Sequence, residues 1–432
     1  MARFPRIPSA SQGRRSFLAH LGLWGSAVVA GANSSRLSAT TPGAAVSPLN
    51  AEGRIGVLLP QAALCGGLDE SLLAGFQTAL QQARDLGGDF RIEVLRAETR
   101  LSPSSYRKAA LNLLGKEQAD LIIALAQPGM VSEMGPVFEE AGRCLVVVDG
   151  GANLVRPGEA GRNVFFNTLG HWESAWALGR WAATTFGGEG FLVVSGFESG
   201  HDALQAFRLG VEATGSGERG FCLPRVPVNQ TRGDLPAAST VDRIRLAAPS
   251  YVVAMLDRTE GLEFLRAFQD AGLAGRIPLV GSAFLAEQAA AAGLGAVLSG
   301  FTAASAWTPG LASSTNRAFL ADYARRTRKE ADGFAALGFD TGRMLLAALQ
   351  DSGGHARFLR EALERVAWDG PGGHRAMDFS SHSATGDIHL IRFNGVRPSV
   401  LRSEPGLGNQ AQEIAGLRGS ARPALLNPYP IY

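Results

Sequence analysis

Two acids three residues apart, Asp257 and Glu260, follow the apolar run YVVAML, and polar or glycine-rich residues close other apolar runs along the chain. These are Gln127-Pro128-Gly129-Met130, Asp149-Gly150-Gly151-Ala152-Asn153, Gly196-Phe197-Glu198-Ser199-Gly200 and Gly281-Ser282-Ala283-Phe284. An amide, hydroxyls, carboxylates and free backbone at glycines can hold a small molecule by a few hydrogen bonds. Two neighbouring carboxylates could instead move protons, as a hydrolase or lyase requires. A third reading is purely local: Asp257 caps the following helix, and Glu260 sits in its first turn, where the macrodipole favours an acid.

Stronger catalytic signatures are missing. The chain has no HExxH, no Walker A and no nucleophile elbow. The string Gly215-Ser216-Gly217-Glu218-Arg219-Gly220 matches GxGxxG, but it follows a helical pattern and precedes the strand-like FCLPRVPV. A dinucleotide site needs strand, glycines, then helix, so this is a surface turn. The histidines, His171, His201, His374 and His382 among them, have no metal-ligand spacing, so neither a metal nor a cofactor is expected. Cys65, Cys144 and Cys222 are too few and too scattered for a disulfide framework and read as small buried hydrophobes.

The elements that must position the polar loops are legible as alternating apolar runs and amphipathic stretches. Ile55–Leu59, Ile92–Leu95, ADLIIALA and CLVVV read as strands, separated by the helical FQTALQQARDLGG, SSYRKAALNLLGK (with Ser104 as a cap) and MVSEMGPVFEEAG. A second series follows: HWESAWALGRWAATTF, FLVVSG, HDALQAFRLGVEAT, YVVAML, EGLEFLRAFQDAGL and IPLVG. FTAASAW is a strand, followed by the helices SSTNRAFLADYARRTRK, FAALGFDTGRMLLAALQDSG and HARFLREALERVAW, then the β pair RAMDF and DIHLIRF. Continuous Val/Ile/Leu runs between helices indicate parallel sheets covered on both faces. In such sheets ligands bind outside the carboxyl ends of the strands, where the polar loops fall.

The N-terminus has a different character. Arg14-Arg15 precedes an apolar run over 17–32 that ends on Ala30-Gly31-Ala32, the layout of an export signal, and the paired arginines resemble the twin-arginine address. The run falls short of the roughly 20 apolar residues that cross a bilayer. With the first cysteine at Cys65, no lipid anchor is expected, and the mature chain is expected in the periplasm. At 432 residues the chain is long enough for two lobes. A net charge of +2 leaves no electrostatic footprint for nucleic acid.

The order of elements resembles the type I periplasmic solute-binding proteins of the leucine/isoleucine/valine type, which deliver ligands to ABC importers. The markers are the opening IGVLLP, the VVVDGGAN loop, the GFDTGRMLLAAL helix and GPGGHRAMDFSSHSATGDIHLIRFNG, and the resemblance runs from about Arg54 to Leu401. It implies an α/β fold of two Rossmann-like lobes with parallel sheets, joined by a three-crossover hinge. It also implies ligand contacts at Gln127 and Pro128, where the family offers serines, and at Ala152 and Asn153. Ser199 stands at a common tyrosine position, and Glu260 lies where an acid can receive an amino group. Met130, Trp172 and Phe284 would make the pocket more apolar; Met130 and Trp172 read equally well as helix packing. Asp257 completes the candidate set.

The expectations are these. Residues 1–39 form a signal peptide and linker; 52–170 with 299–362 form one lobe, 171–298 with 363–401 the other, and 402–432 an extended tail. The protein captures a small organic ligand, amino-acid-like or more apolar, and passes it to an inner-membrane ABC permease, acting as a monomer without membrane anchor and without catalysis. A sensor subunit of the same fold is the alternative; a hydrolase or lyase is the third reading.

Overall fold

Buried, β-branched runs become the centres of two sheets. The structure, a computed structural model, describes residues 51–61, 67–126, 128–153, 160–194, 202–222, 236–256 and 258–406. The first half-chain supplies β1 (Ala51–Pro60), α1 (Leu68–Asp85), β2 (Phe90–Thr99), α2 (Pro103–Gly115), β3 (Leu121–Leu125), α3 (Pro128–Ala141), β4 (Cys144–Asp149) and β5 (Val164–Thr168). Next come α4 (His171–Phe186), β6 (Gly190–Val194), α5 (Asp202–Glu212), β7 (Glu218–Cys222), α6 (Ala237–Ala247), β8 (Tyr251–Met255), α7 (Arg258–Asp270), β9 (Leu279–Gly281), α8 (Ala283–Ala291) and β10 (Thr302–Ser305). The chain ends through α9 (Ser314–Thr327), α10 (Gly333–Asp351), α11 (Leu359–Leu363), β11 (Ala367–Gly370), β12 (Gly373–Asp378), β13 (Ser383–Gly386), β14 (Ile388–Asn394) and β15 (Arg397–Glu404).

The first sheet has the order β11-β12-β13-β5-β4-β3-β1-β2 and the second β15-β14-β10-β9-β8-β6-β7. The strands from β1 to β5 pair in parallel, as do those from β6 to β10; β13 joins β5 in parallel, and the other pairings of the later strands are antiparallel. All residues of β3, β4, β6 and β8 are buried, as strands covered on both faces must be.

The chain passes between the sheets three times: from β5 into α4, from β10 towards α9, and from β13 into β14. The partition differs from the expected boundaries. β10, expected with the first lobe, lies in the second sheet, while β11, β12 and β13, expected in the second lobe, extend the first. The expected pairing of RAMDF with DIHLIRF is replaced for the same reason. β12 pairs with β13, drawn from the intervening SSHSATG, and β14 crosses to lie between β10 and β15. HARFLREALERVAW is also only partly helical. α11 covers five residues, and Ala367-Trp368 already belong to β11, where the Trp368 indole donates to Asp340 Oδ1 at 2.8 Å. Strand β15 runs to Glu404, taking the first three residues of the expected tail; 407–432 lie outside the described residues.

Smaller differences have local causes. Ser102 rather than Ser104 caps α2, because Pro103 supplies the first helical residue and leaves Ser102 extended, its Oγ accepting from Ser105 N–H. The GxGxxG string runs from a turn into β7, and a Cβ on Gly220 would stand 2.5 Å from the Phe191 ring. Cys144 and Cys222 are free and buried, and burial pushes the Cys144 thiol up to about 12. Cys65 lies outside the described residues.

In each lobe one helix pair is drawn together through reciprocal glycines. A Cβ on Gly75 of α1 would lie 1.9 Å from the Ala335 carbonyl oxygen, and one on Gly338 of α10 would lie 1.9 Å from that of Leu72. On α4 and α5, a Cβ on Gly179 or Gly210 would lie 2.2 Å from the carbonyl oxygen of Phe207 or Trp176 respectively. Glycine inside a helix costs about 1 kcal/mol against alanine. Here that cost is offset by backbone approach that no side chain permits, which brings α10 home to the first lobe after β10 has visited the second.

Candidate ligand site between the lobes

The hinge is a set of backbone hydrogen bonds anchored on the loop that follows β4. Gly151, at φ 72°, donates to Asp149 Oδ1 at 2.8 Å, and the loop's carbonyls then receive the first crossover. Leu169 N–H donates to Asp149 O, His171 to Gly150 O and Trp172 to Gly151 O, at 3.2, 3.2 and 2.9 Å. A Cβ on Gly151 would stand 2.5 Å from Thr168 Oγ1, so the left-handed turn and the close approach both call for glycine. Beyond it, Ala152 O accepts from Ala203 N–H at 3.0 Å, and Asn153 Oδ1 accepts from Asp202 N–H at 3.4 Å. The VVVDGGAN loop of the first sheet thus satisfies the N-termini of two second-lobe helices, α4 and α5.

A buried polar cluster braces the other crossovers. Arg375 of β12 donates to Asp340 Oδ2 at 2.6 Å and to Thr168 O at 3.1 Å. His389 of β14 reaches Gly372 O through Nε2 and Ser403 Oγ through Nδ1, both at 2.8 Å. Carbonyl acceptance makes Nε2 the donor, so Nδ1 accepts from the serine hydroxyl. Burial holds the His389 pKa below its ordinary value, consistent with a neutral ring.

Between the lobes lies a cavity of about 70 Å³, room for several waters or a small part of a ligand. It opens at the carboxyl ends of five strands: Gly150 follows β4, Leu169 follows β5, Leu256 follows β8, Ser282 follows β9 and Ser305 closes β10. Apolar walls come from Phe284 on the second lobe's side, from Trp307, which follows β10 and packs against Phe319 of α9, and from Phe334 at the start of α10. The polar groups are few: His171 and Ser174 on α4, Ser282, Ser305, and two carboxylates, Glu287 of α8 and Asp332. Asp332 caps α10 through Oδ1 to Ala335 N–H and accepts from Ser71 Oγ through Oδ2, both at 2.8 Å. Burial, reinforced by the Asp332 charge, pushes the Glu287 pKa up to about 7.

Of the residues singled out in sequence, Phe284 lines this cavity. Ala152 and Asn153 are engaged with α5 as described. Trp172 is buried in the second lobe's core, and Met130 packs against the outer layer of the first. Glu260 is buried in the first turn of α7, and Pro128 starts α3. Gln127, Ser199, Asp257, Arg14 and Arg15 lie outside the described residues. Glu287 and Asp332 were missed. Glu287 carried a signal, being one turn beyond Phe284 on the same helix face. Asp332 carried none, since only the return of α10 to the first lobe brings its N-terminus to the cleft.

Among the described residues no group of His, Cys, Asp and Glu is arranged to hold a metal ion, and no helix is long and apolar enough to cross a membrane. Solved structures share the fold. A solute-binding protein of an ABC transporter from R. palustris, in complex with benzoate, is 21% identical, with 84% of this chain and 99% of that one covered and a TM-score of 0.68. An ABC transporter substrate-binding protein from Sphaerobacter thermophilus is 22% identical, covering 82% and 98%, at a TM-score of 0.72. A branched-chain amino acid ABC transporter periplasmic ligand-binding protein from Burkholderia xenovorans LB400 is 15% identical, covering 82% and 96%, at 0.68. No curated protein sequence matches significantly. A family model described as periplasmic binding protein matches residues 52–397, from β1 into β15, and the chain belongs to that family.

Proposed function

We infer that this chain is the solute-capturing component of an ABC-type importer: it closes over a small organic ligand between its lobes and presents the closed form to a membrane permease. The observation that carries this reading is the cavity whose lining is shared by both sheets' strand ends and includes Leu169 and Trp307 from two of the crossovers. A ligand seated there touches both lobes at once, so its binding energy favours closure. Nothing in this scheme breaks a bond. Proteins of like fold include one in complex with benzoate and one described as a branched-chain amino acid transporter's ligand-binding protein, which supports a ligand among small organic acids, amino acids and their apolar relatives.

The chain works in the periplasm, exported through the Arg14-Arg15 address, and acts as a monomer whose partner is the permease. Native mass spectrometry of protein purified from its own host tests the capture reading. The expected spectrum shows a small molecule bound one to one and released on denaturation. A mass equal to the bare chain, with uptake of small solutes unchanged in a deletion strain, would overturn it.

A further inference from the structure

The cleft has a sign. Its described lining residues include two carboxylates and no lysine or arginine. Helix N-termini could still offer a ligand anion their free N–H groups and positive dipoles, and α4, α8 and α10 all begin here. In each case the protein has already taken up donors from that first turn. The His171 and Trp172 N–H groups are held by Gly150 and Gly151 carbonyls, Leu285 N–H by Ser282 Oγ, and Ala335 N–H by Asp332, whose charge also opposes the α10 dipole.

A second observation, independent of the acids, indicates that the cavity expects a polar ligand group. Ser174 is 3% exposed and lines the cavity, and its hydroxyl has no hydrogen-bond partner among the described residues. A buried hydroxyl left so costs on the order of 1–3 kcal/mol, which a ligand can relieve.

We propose that the ligand carries a protonated amine, seated against Glu287 of the second lobe and Asp332 of the first, with its apolar body on Leu256, Phe284, Trp307 and Phe334. This rests on the capture reading and narrows it: the cleft takes a cationic or zwitterionic amine in preference to an arene carboxylate such as benzoate. The two acids belong to different lobes, so a cation between them relieves their mutual repulsion and joins the lobes by its own charge. A carboxylate in the same place would add a third negative charge to a site of low dielectric, where like charges cost most.

The test uses three probes with one ring and different charge: benzylamine, benzyl alcohol and benzoate, titrated calorimetrically into ligand-free full-length mature protein at pH 8. Benzylamine is expected to bind tightest and benzoate weakest. Glu287→Gln is expected to weaken benzylamine about tenfold or more, the range for a charge-assisted hydrogen bond, while leaving benzyl alcohol unchanged. Asp332→Asn, which keeps a capping side chain on α10, is expected to weaken benzylamine in the same direction. Benzoate binding tighter than benzylamine would overturn the ligand class and leave the capture reading standing. Benzylamine affinity unchanged in both variants would overturn the site. Binding of none of the three would also overturn the proposal; the capture reading then survives only if the host-purified protein carries a small molecule in its native mass spectrum.

Discussion

Arg375 Nη1 lies 2.6 Å from Asp340 Oδ2, an ion pair with 11% and 4% of the side chains exposed, closing the angle between β12 and α10. Asp340 also accepts the Trp368 indole N–H, and a Cβ on Gly370 would stand 1.9 Å from its Oδ1. This carboxylate, part of the GFDTGRMLLAAL helix, serves the frame of the first lobe. Arg375→Met is expected to destabilise the protein by about 3–5 kcal/mol, because it strands a buried charge. Urea unfolding measures this, and a cost below 1 kcal/mol would contradict the role given to the pair.

The glycine contacts predict a sharp size threshold. Gly338→Ala should cost about 1–3 kcal/mol or more despite alanine's better helix propensity, since the new methyl meets the Leu72 carbonyl. Gly115→Ala, at the end of α2 with open space around its Cβ position, should be neutral or stabilising. Thermal melts of the two variants distinguish packing from propensity.

Glu287 makes the ligand-free protein sensitive to pH. Its folded pKa of about 7 exceeds the ordinary 4.5, so the folded state holds its proton more tightly than the unfolded chain. The associated stability is fully present below the unfolded value and is lost as pH rises through 7. Between pH 5.5 and 8 the wild type should therefore lose about 2 kcal/mol relative to Glu287→Gln. His171 and Asp332 line the same cavity and are common to both proteins, so the difference in unfolding free energy isolates Glu287.

Asn153→Ala tests whether the loop after β4 acts through α5. The bond to Asp202 N–H is long, at 3.4 Å, so its loss should cost about 0.5–1 kcal/mol, at the low end for a helix-starting contact. Hydrogen exchange should rise at the first turn of α5 and stay unchanged in β4. Equal change in both elements would sink the local account.

Export is predicted to depend on Arg14 and Arg15, which lie in the part of the chain preceding β1. Lysine at both positions keeps the charge but not the address, so precursor should accumulate in the cytoplasm. Normal periplasmic protein from that variant in cell fractionation would refute the twin-arginine route.

By itself the sequence determined the class of fold and most of its elements, because burial on both faces of a parallel strand leaves a mark in a few consecutive residues. CLVVV, YVVAML and LIIAL need no partner to be recognised. Loops at the carboxyl ends of those strands were legible for the same reason, and Phe284 reached the cleft from one of them. What the tertiary structure alone decided is where each late strand goes. RAMDF and DIHLIRF are twelve residues apart at their starts and belong to different sheets, since pairing depends on which edge is free after β5 and β10 have been placed. The same holds for the site. Asn153 has the chemistry of a ligand contact, but its carbonyl oxygen meets a helix N-terminus. Asp332 has the chemistry of a cap and is one, yet the return of α10 through Gly75 and Gly338 also sets it opposite Glu287's lobe, at the wall of the cleft. Local pattern encodes burial and helix ends; that two carboxylates from different lobes line one cavity depends on the backbone packing of α1 against α10 at Gly75 and Gly338, and no local pattern records it.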